Sequence, residues 1–309
     1  MRALVVGTRG SALAQAQTSL VVAAFQVRFP DVQVQVRCIR TQGDRDRRSS
    51  LRDIGGQGVF VREIEAALLV GEIDLAVHSL KDMPNDSPTG LTVAAYLPRE
   101  DPRDAIVSQG NLDLASLPSD AIVGTSSMRR RAQLIHVRPD LRIKDIRGNV
   151  NTRLSKLTSG QEYDAIVLAL AGLRRLGLED TAAEILSPDL MLPAPGQGAI
   201  AMQARSQDAE LRQLLARLDH AETRAAVTAE RAFLRAFGAG CRAPVGAHAE
   251  LIDGHIWLQG MMGSMDPTDT GLGPLLRGRI DGPAERADAL GTELAEQLTA
   301  RRGQEEGGR

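Results

Sequence analysis

The sequence predicts an α/β protein of three domains, and three observations predict it. Its 309 residues are about twice what a single domain uses, near 150. Short apolar runs that end in Gly- or Ser-containing turns and pass into helical periodicity recur along the first two thirds, the pattern of strand–turn–helix units in a parallel sheet. Two proline-bearing segments, Leu97–Arg103 and Pro188–Pro195, punctuate those units. The chain is therefore expected to leave a first lobe, build a second, and return. The boundaries that follow are 1–98 plus 197–218 for a discontinuous first domain, 99–196 for the second and 219–309 for the third.

The elements follow in order. Ala3–Val6 reads as a short buried strand, then a tight turn from Gly7 to Ser11, then a helix with Leu13, Leu20, Val21, Ala24 and Phe25 on one face. Val32, Val34, Val36 and Cys38 alternate with polar residues, the period of a half-buried strand, so Cys38 is expected to be a small core residue. Residues 40–58 are polar and glycine-rich and are expected to form a flexible loop ahead of a helix carrying Val61, Ile64 and Leu68. Asp74–Ser79 and Leu91–Ala95 are the next strands. In the second set of units, Ala121–Val123, Leu141–Ile146 and Ala165–Leu170 are strands, and the first two lead into helices ending near Val137 and Leu157. Gly7-Thr8 and Gly124-Thr125 follow similar apolar runs, as if two like lobes began alike.

Ala199–Gln203 returns as a strand, and Leu211, Leu214, Leu215 and Leu218 have helical spacing. A third unit holds a helix to Phe237, a hairpin turning at Asp253-Gly254, a strand at Leu275–Ile280 and a last helix with Leu290, Leu294 and Leu298 on one face. The polar tail Arg301–Arg309 is expected to be disordered.

Composition narrows the function. Hydrophobic residues are 43% and charged residues 25%, ordinary values that argue against disorder or a disulfide scaffold. A net charge of −2 does not fit a general nucleic-acid coat. The longest apolar stretch, Ala165–Leu173, is about half of the roughly 20 residues that a membrane span needs, and Met1–Gly7 is too short for a secretory core. The expected location is the cytoplasm. Neither the two cysteines nor the five histidines form CxxC or HExxH spacing, so no metal is expected.

Only Lys81, Lys144 and Lys156 of the 37 basic residues are lysine. Many arginines lie beside Gly, Ser, Thr or Asn just after strands, where open α/β sheets collect ligands. Five such segments stand out: Thr8–Ser11 with Arg9, Ser79–Asp82 with Lys81, Thr125–Arg130 with Ser127, Arg129 and Arg130, Arg147–Asn149 with Arg153, and the crossing around Gln197. Guanidinium forks suit several carboxylates or phosphates, although any single arginine could be a solvated surface charge. Ser11, Ser126 and Ser127 read more readily as helix caps than as nucleophiles. Asp82 is either an ion-paired loop residue or the one acid of a cationic cleft, able to orient an N–H or stabilise a developing cation. Cys241, in a Gly-rich loop beside Arg242, is either a reactive thiol or a small residue packed at a helix end. His78 reads as an inward structural histidine.

Seven motifs in order then resemble one family, porphobilinogen deaminase (hydroxymethylbilane synthase): Thr8–Ala14, Ala76–Pro84, Arg99–Asp104, Gly124–Arg130, Arg147–Arg153, Leu192–Ala199 and Gly240-Cys241. The resemblance implies two lobes like those of type II periplasmic binding proteins and a small α+β third domain carrying the cofactor cysteine. It implies head-to-tail condensation of four porphobilinogen units with release of ammonia. It also implies a dipyrromethane cofactor on Cys241 through a thioether, held by Ser11, Lys81, Asp82, Thr125, Ser127, Arg129, Arg130 and Arg147. Asp82, Arg9, Lys81, Arg147 and Arg153 would support catalysis, and Arg9, Ser11, Arg147, Arg153 and Gln197 would bind substrate. A monomer passing product to uroporphyrinogen-III synthase is implied, with the two crossings as hinges and Gly55–Gly58 as a lid. The family often has lysine at the position of Gln57 and glycine at that of Ala239. The alternative is a cytoplasmic protein that binds or senses a polycarboxylate.

Overall fold

The first strand begins at Leu4, beside the central strand of its sheet, and a glycine lets a neighbour approach it. A Cβ on Gly7 would lie 2.3 Å from Ile73 Cδ1. The computed structural model describes residues 3–41, 58, 61–160, 162–238, 244–263 and 275–307, with side chains to 304. It divides into two compact units, 1–100 with 198–224 and 101–197 with 225–309.

The first unit holds β1 (Leu4–Arg9), α1 (Ala12–Arg28), β2 (Val34–Ile39), α2 (Arg62–Leu69), β3 (Leu75–Ser79) and β4 (Leu91–Tyr96). Its strand order is β2-β1-β3-β10-β4. β10 (Ile200–Arg205) is the strand that returns after the second crossing, and it runs antiparallel to β3 and β4. Alternation along the strands builds the layers. Val6, Leu75 and Val77 pack with Val21 and Phe25 of α1, and Ala76 packs with Ile64 and Leu68 of α2. α6 (Ala209–Ala216) adds Leu211 and Leu215 to the α1 side.

The second unit repeats this plan. β5 (Asp104–Ser108), β6 (Ile122–Gly124), α3 (Met128–Val137), β7 (Arg142–Lys144), α4 (Val150–Thr158), β8 (Ala165–Ala169), α5 (Leu170–Arg175) and β9 (Glu184–Ile185) give the order β7-β6-β8-β5-β9. With β6 read as β1, β7 as β2, β8 as β3 and β5 as the antiparallel β10, the two orders are the same. Gly124 occupies the place of Gly7, and a Cβ there would meet Tyr163 Cδ1 at 2.9 Å. Thr8 and Thr125, next in line, are both buried.

The same unit carries a separate antiparallel sheet, β11 (Val245–Ile252), β12 (His255–Met262) and β13 (Leu276–Pro283). The turn at Asp253 (φ 50°) and Gly254 (φ 78°) has both residues left-handed, as a two-residue hairpin favours. α7 (Ala221–Ala236) and α8 (Ala287–Gly307) cover one face through Ala229, Phe233, Leu290, Leu294 and Leu298. The crossing at 188–196 is fastened within this unit. Leu192 N–H donates to Gln133 Oε1 (2.8 Å), Leu192 O accepts from Arg129 Nη1 (2.6 Å), and Gly196 N–H donates to Glu230 Oε2 (2.7 Å).

Two expectations fail. Cys38 is exposed, not core. β2 is a sheet edge, paired among the described residues with β1 alone, so its outer side has no neighbouring strand, and Val36 on it is likewise 51% exposed. Nor is the whole tail from Arg301 irregular: α8 runs to Gly307. That segment has no proline and several helix-favouring Arg, Gln and Glu residues, and Arg301 Nη1 donates to Arg277 O at 3.0 Å.

Candidate functional site

In the first unit, the carboxyl ends of β1 and β3 open into a pocket of about 60 Å³ whose lining includes Arg9, Ser11, Gln17, His78, Ser79 and Asp82. Arg9 closes β1. Ser11 caps α1, its Oγ accepting from Ala14 N–H at 3.3 Å. β3 ends in a single 3₁₀ turn, Leu80–Asp82, anchored by Leu80 N–H to Ala199 O (3.1 Å). That turn puts Asp82 on the pocket wall and leaves Lys81 exposed on the same turn, outside the lining. Ser79 Oγ donates to Gln17 Oε1 at 2.9 Å. Asp82 has no ion pair or side-chain hydrogen bond among the described residues.

His78 is buried and shares a hydrogen bond between Nε2 and Gln203 Oε1 (3.1 Å). Burial pushes its pKa down to about 4; the Gln203 bond opposes the shift and the nearby Arg9 charge reinforces it. The inward structural histidine is found, and it also faces the pocket.

The second unit presents a different chemistry at equivalent strand ends. Thr125 follows β6, and its Oγ1 accepts from Ser127 N–H (3.2 Å). Ser127 Oγ caps α3 by accepting from Arg130 N–H (3.4 Å). Arg129 and Arg130 are buried against Asp104, which is 0% exposed. Arg129 Nη1 lies 2.8 Å from Asp104 Oδ2 and Arg130 Nη2 2.7 Å from Oδ1. Gln197 Nε2 donates to Asp104 Oδ1 at 2.7 Å and to Pro102 O at 2.6 Å. Burial alone would raise the Asp104 pKa, but the two guanidinium charges and the hydrogen bonds from Arg130 and Gln197 hold it far below the ordinary range. Two cations around one anion leave one positive charge in surplus.

Two donors in this unit stay unused. Arg130 Nε and Arg147 Nη1 are buried with no hydrogen-bond partner among the described residues, a costly state unless a ligand supplies an acceptor. Arg147 follows Ile146, whose N–H and C=O both bond Ser126 Oγ. Asn149 caps α4 through Thr152 N–H (2.9 Å), and Arg153 Nε donates to Gly148 O (2.8 Å).

The structure thus gathers Arg9, Ser11 and Asp82 about one pocket, and Arg129, Arg130 and Gln197 about one buried carboxylate. Cys241, Gln57 and Ala239 lie outside the described residues, as does the expected lid except for Gly58. Sequence reading missed Asp104 as the hub of the second unit, Gln203 as the partner of His78 and Glu65 as the partner of Gln203. Their signal was weak, because a polar residue inside an apolar strand marks a buried partner without naming it. Among the described residues, no helix is long and apolar enough to cross a membrane.

Hydroxyls, helix N-termini and guanidiniums thus stand at the strand ends of both units of this α/β protein. Residues 4–213 match the family model "Porphobilinogen deaminase, dipyromethane cofactor binding domain", and residues 224–300 match "Porphobilinogen deaminase, C-terminal domain". A porphobilinogen deaminase of Roseiflexus castenholzii is 50% identical over 301 residues, 97% of each chain. One of Desulforudis audaxviator is 48% identical over 297 residues, 96% of this chain and 94% of the relative. The chain belongs to the porphobilinogen deaminase family. Among solved structures, the VFT2 domain of Bordetella pertussis BvgS aligns at a TM-score of 0.42 and 14% identity, over 70% of this chain and 86% of that one. An ancestral arginine-binding protein aligns at 0.39 and 18%, over 71% and 91%.

Proposed function

We propose that this protein is the transferase of tetrapyrrole synthesis that condenses four porphobilinogen units head to tail, releasing ammonia, into hydroxymethylbilane. The observation that carries the reading is the pocket in which Asp82, with no ion pair or side-chain hydrogen bond among the described residues, stands with Arg9 and Ser11. Asp82 would accept the pyrrole N–H and stabilise the positive charge that develops as ammonia departs. Arg9 and Ser11 would hold the acetate and propionate of the incoming unit. Arg153 and Gln197 would extend carboxylate binding along the growing chain, and Lys81 would supply a further cation.

The residues present fit a dipyrromethane cofactor. Each of its pyrroles carries carboxylates, and Arg130 Nε and Arg147 Nη1, buried with no partner among the described residues, are donors that such groups satisfy. Ser11, Lys81, Asp82, Thr125, Ser127, Arg129, Arg130 and Arg147 would hold the cofactor, with Cys241 as its covalent anchor. When bound, it supplies the free pyrrole carbon from which the chain grows. Buried guanidiniums suit this work because their surplus charge offsets what each added unit brings.

The reading extends to a monomer in the cytoplasm whose product passes to uroporphyrinogen-III synthase, and to three domains at 1–98 plus 197–218, 99–196 and 219–309. The polycarboxylate-binding alternative is not favoured, because the matched relatives are deaminases. Intact mass of the purified protein beside Cys241→Ser tests the proposal. An excess of two linked pyrrole units in the native protein alone is expected. An equal excess in both would move the anchor elsewhere, and no turnover of porphobilinogen by the native protein would overturn the function.

A further inference from the structure

A buried chain of three polar side chains runs through the first unit and ends at the pocket. Glu65 of α2, 6% exposed, accepts from Gln203 Nε2 of β10 at 2.9 Å. Gln203, 0% exposed, turns its Oε1 to His78 Nε2 on β3 at 3.1 Å. The amide has one donor end and one acceptor end. Because its donor end serves the Glu65 carboxylate, its acceptor end faces the imidazole, and the hydrogen between them must sit on His78 Nε2. Nδ1 is then a bare lone pair, with no partner among the described residues, and His78 is one of the residues lining the pocket that holds Asp82.

Strand register explains why these residues meet. β10 pairs with β3 so that Gln203 lies opposite Ala76 and Ala201 opposite His78. Gln203 and His78 are therefore diagonal neighbours, close enough for long side chains to touch. Three buried polar residues between the sheet and α2, among neighbours that are otherwise Ile, Leu and Ala, cost desolvation at every member, so an apolar set would fill this space more cheaply. No residue assigned above to substrate or cofactor is part of the chain.

We propose that the Glu65–Gln203 pair fixes the tautomer of His78, so that His78 Nδ1 accepts a hydrogen bond from an N–H of the bound porphobilinogen, as a second acceptor beside Asp82. The inference rests on the pyrrole substrate proposed above. His78 is the group that touches substrate, and Gln203 and Glu65 are positioning residues. An acceptor suits this place better than a charged imidazolium, which would repel Arg9 and the ammonium of the substrate. Burial and the Arg9 charge keep the ring neutral at neutral pH.

Two substitutions separate this role from a structural one. His78→Gln keeps a donor where Nε2 stands and so preserves the link to Gln203, but removes the acceptor at the Nδ1 position. His78→Asn does the reverse, placing its Oδ1 near the Nδ1 position and losing the link. The proposal expects kcat/KM for porphobilinogen to fall about tenfold in His78→Gln, the scale of one lost hydrogen bond, and only about threefold in His78→Asn. A purely structural histidine would give the opposite order, and that order, or two variants equal to the native protein, overturns the proposal. Nitrogen-15 spectra of the native, cofactor-loaded protein are expected to show His78 with its proton on Nε2, and Gln203→Leu to mix the tautomers. A proton on Nδ1 in the native protein overturns it even if every variant misfolds. Should the native protein fail to consume porphobilinogen, the functional reading fails as a whole; native turnover with an unaffected His78→Gln removes this inference alone.

Discussion

The two lobes share a strand order and begin on matching Gly-Thr pairs, yet they handle charge in opposite ways at the same strand ends. In the first unit Asp82 is exposed on the wall of a pocket beside Arg9. In the second, Asp104 is fully buried between Arg129 and Arg130. The difference shows that a carboxylate near arginines is not one kind of feature. An acid that its own lobe has already neutralised builds structure, and an acid left without a partner is available to a ligand. Arg129 and Arg130 accordingly have two duties, holding Asp104 and offering a surplus positive charge.

The comparison breaks most sharply at Asp104. Asp104→Ala leaves two buried guanidiniums without their counter-charge, which costs about 3–5 kcal/mol; Asp82→Asn removes no ion pair or side-chain hydrogen bond among the described residues and should shift stability by no more than about 0.5 kcal/mol. Urea unfolding of both variants checks this. If Asp82→Asn were as destabilising as Asp104→Ala, the two acids would not differ in kind.

Activity should reverse the ranking. Asp82→Asn retains shape but loses the negative charge, so kcat for porphobilinogen consumption should fall about 10²–10³-fold, the usual size for removing one group that stabilises transition-state charge. Near-normal turnover in a steady-state assay would remove Asp82 from the chemistry and leave the pocket without its central acid.

Acid separates the lobes by pH. His78 has a native pKa near 4 against an ordinary 6.5, so the unfolded chain binds the extra proton between those values. Its contribution is complete above about pH 6.5 and is lost as pH falls toward 4, on the order of 1.4 kcal/mol per pKa unit. The Asp104 pKa is lowered below 3.8, so its contribution persists to lower pH and is lost only beneath that value. Glu65 acts with the opposite sign. Its raised pKa gives stability below 4.5 that fades as pH rises. Unfolding followed from pH 7 to 3 should therefore weaken in two stages, and His78→Gln should flatten the first. A single transition below pH 4 would show that His78 does not titrate as its burial requires.

Much of this was legible in the sequence, but by different routes. Apolar runs ending before Gly7 and Gly124, leucines at helical spacing in α6 and α8, and the Asp253-Gly254 turn each carry a local signal, and each element forms about that signal, although β1 runs on through the expected turn to Arg9. The exposed Cys38 was not legible, because alternation shows that one face of a strand is apolar but not whether a helix covers it at a sheet edge. Asp104 and Gln203 were hidden for a related reason. Each pairs with residues 25 or more positions away, and no local period reports such a partner. The arginines after strands were visible as a group, whereas their division into buried and ligand-facing members depends on where Asp104 comes to lie.

The smallest contrast concerns the helix caps. Ser11 Oγ accepts from Ala14 N–H at 3.3 Å and Ser127 Oγ from Arg130 N–H at 3.4 Å, both long bonds, so each serine should contribute at the lower part of the usual range for a cap, about 0.5–1 kcal/mol. Ser127 has help, because Thr125 Oγ1 takes the N–H of Ser127 and holds the same turn. Ser127→Ala should therefore destabilise less than Ser11→Ala in thermal unfolding. Glycine tolerates a cap position at a cost of only a few tenths of a kcal/mol, so Ser→Gly at each site nearly restores stability while still lacking the hydroxyl. If those glycine variants bind porphobilinogen as tightly as the native protein, the hydroxyls only cap their helices. A several-fold rise in KM at unchanged stability would show that each also takes a carboxylate, and a larger rise for Ser11→Gly than for Ser127→Gly would place the incoming substrate with the lobe whose acid is free.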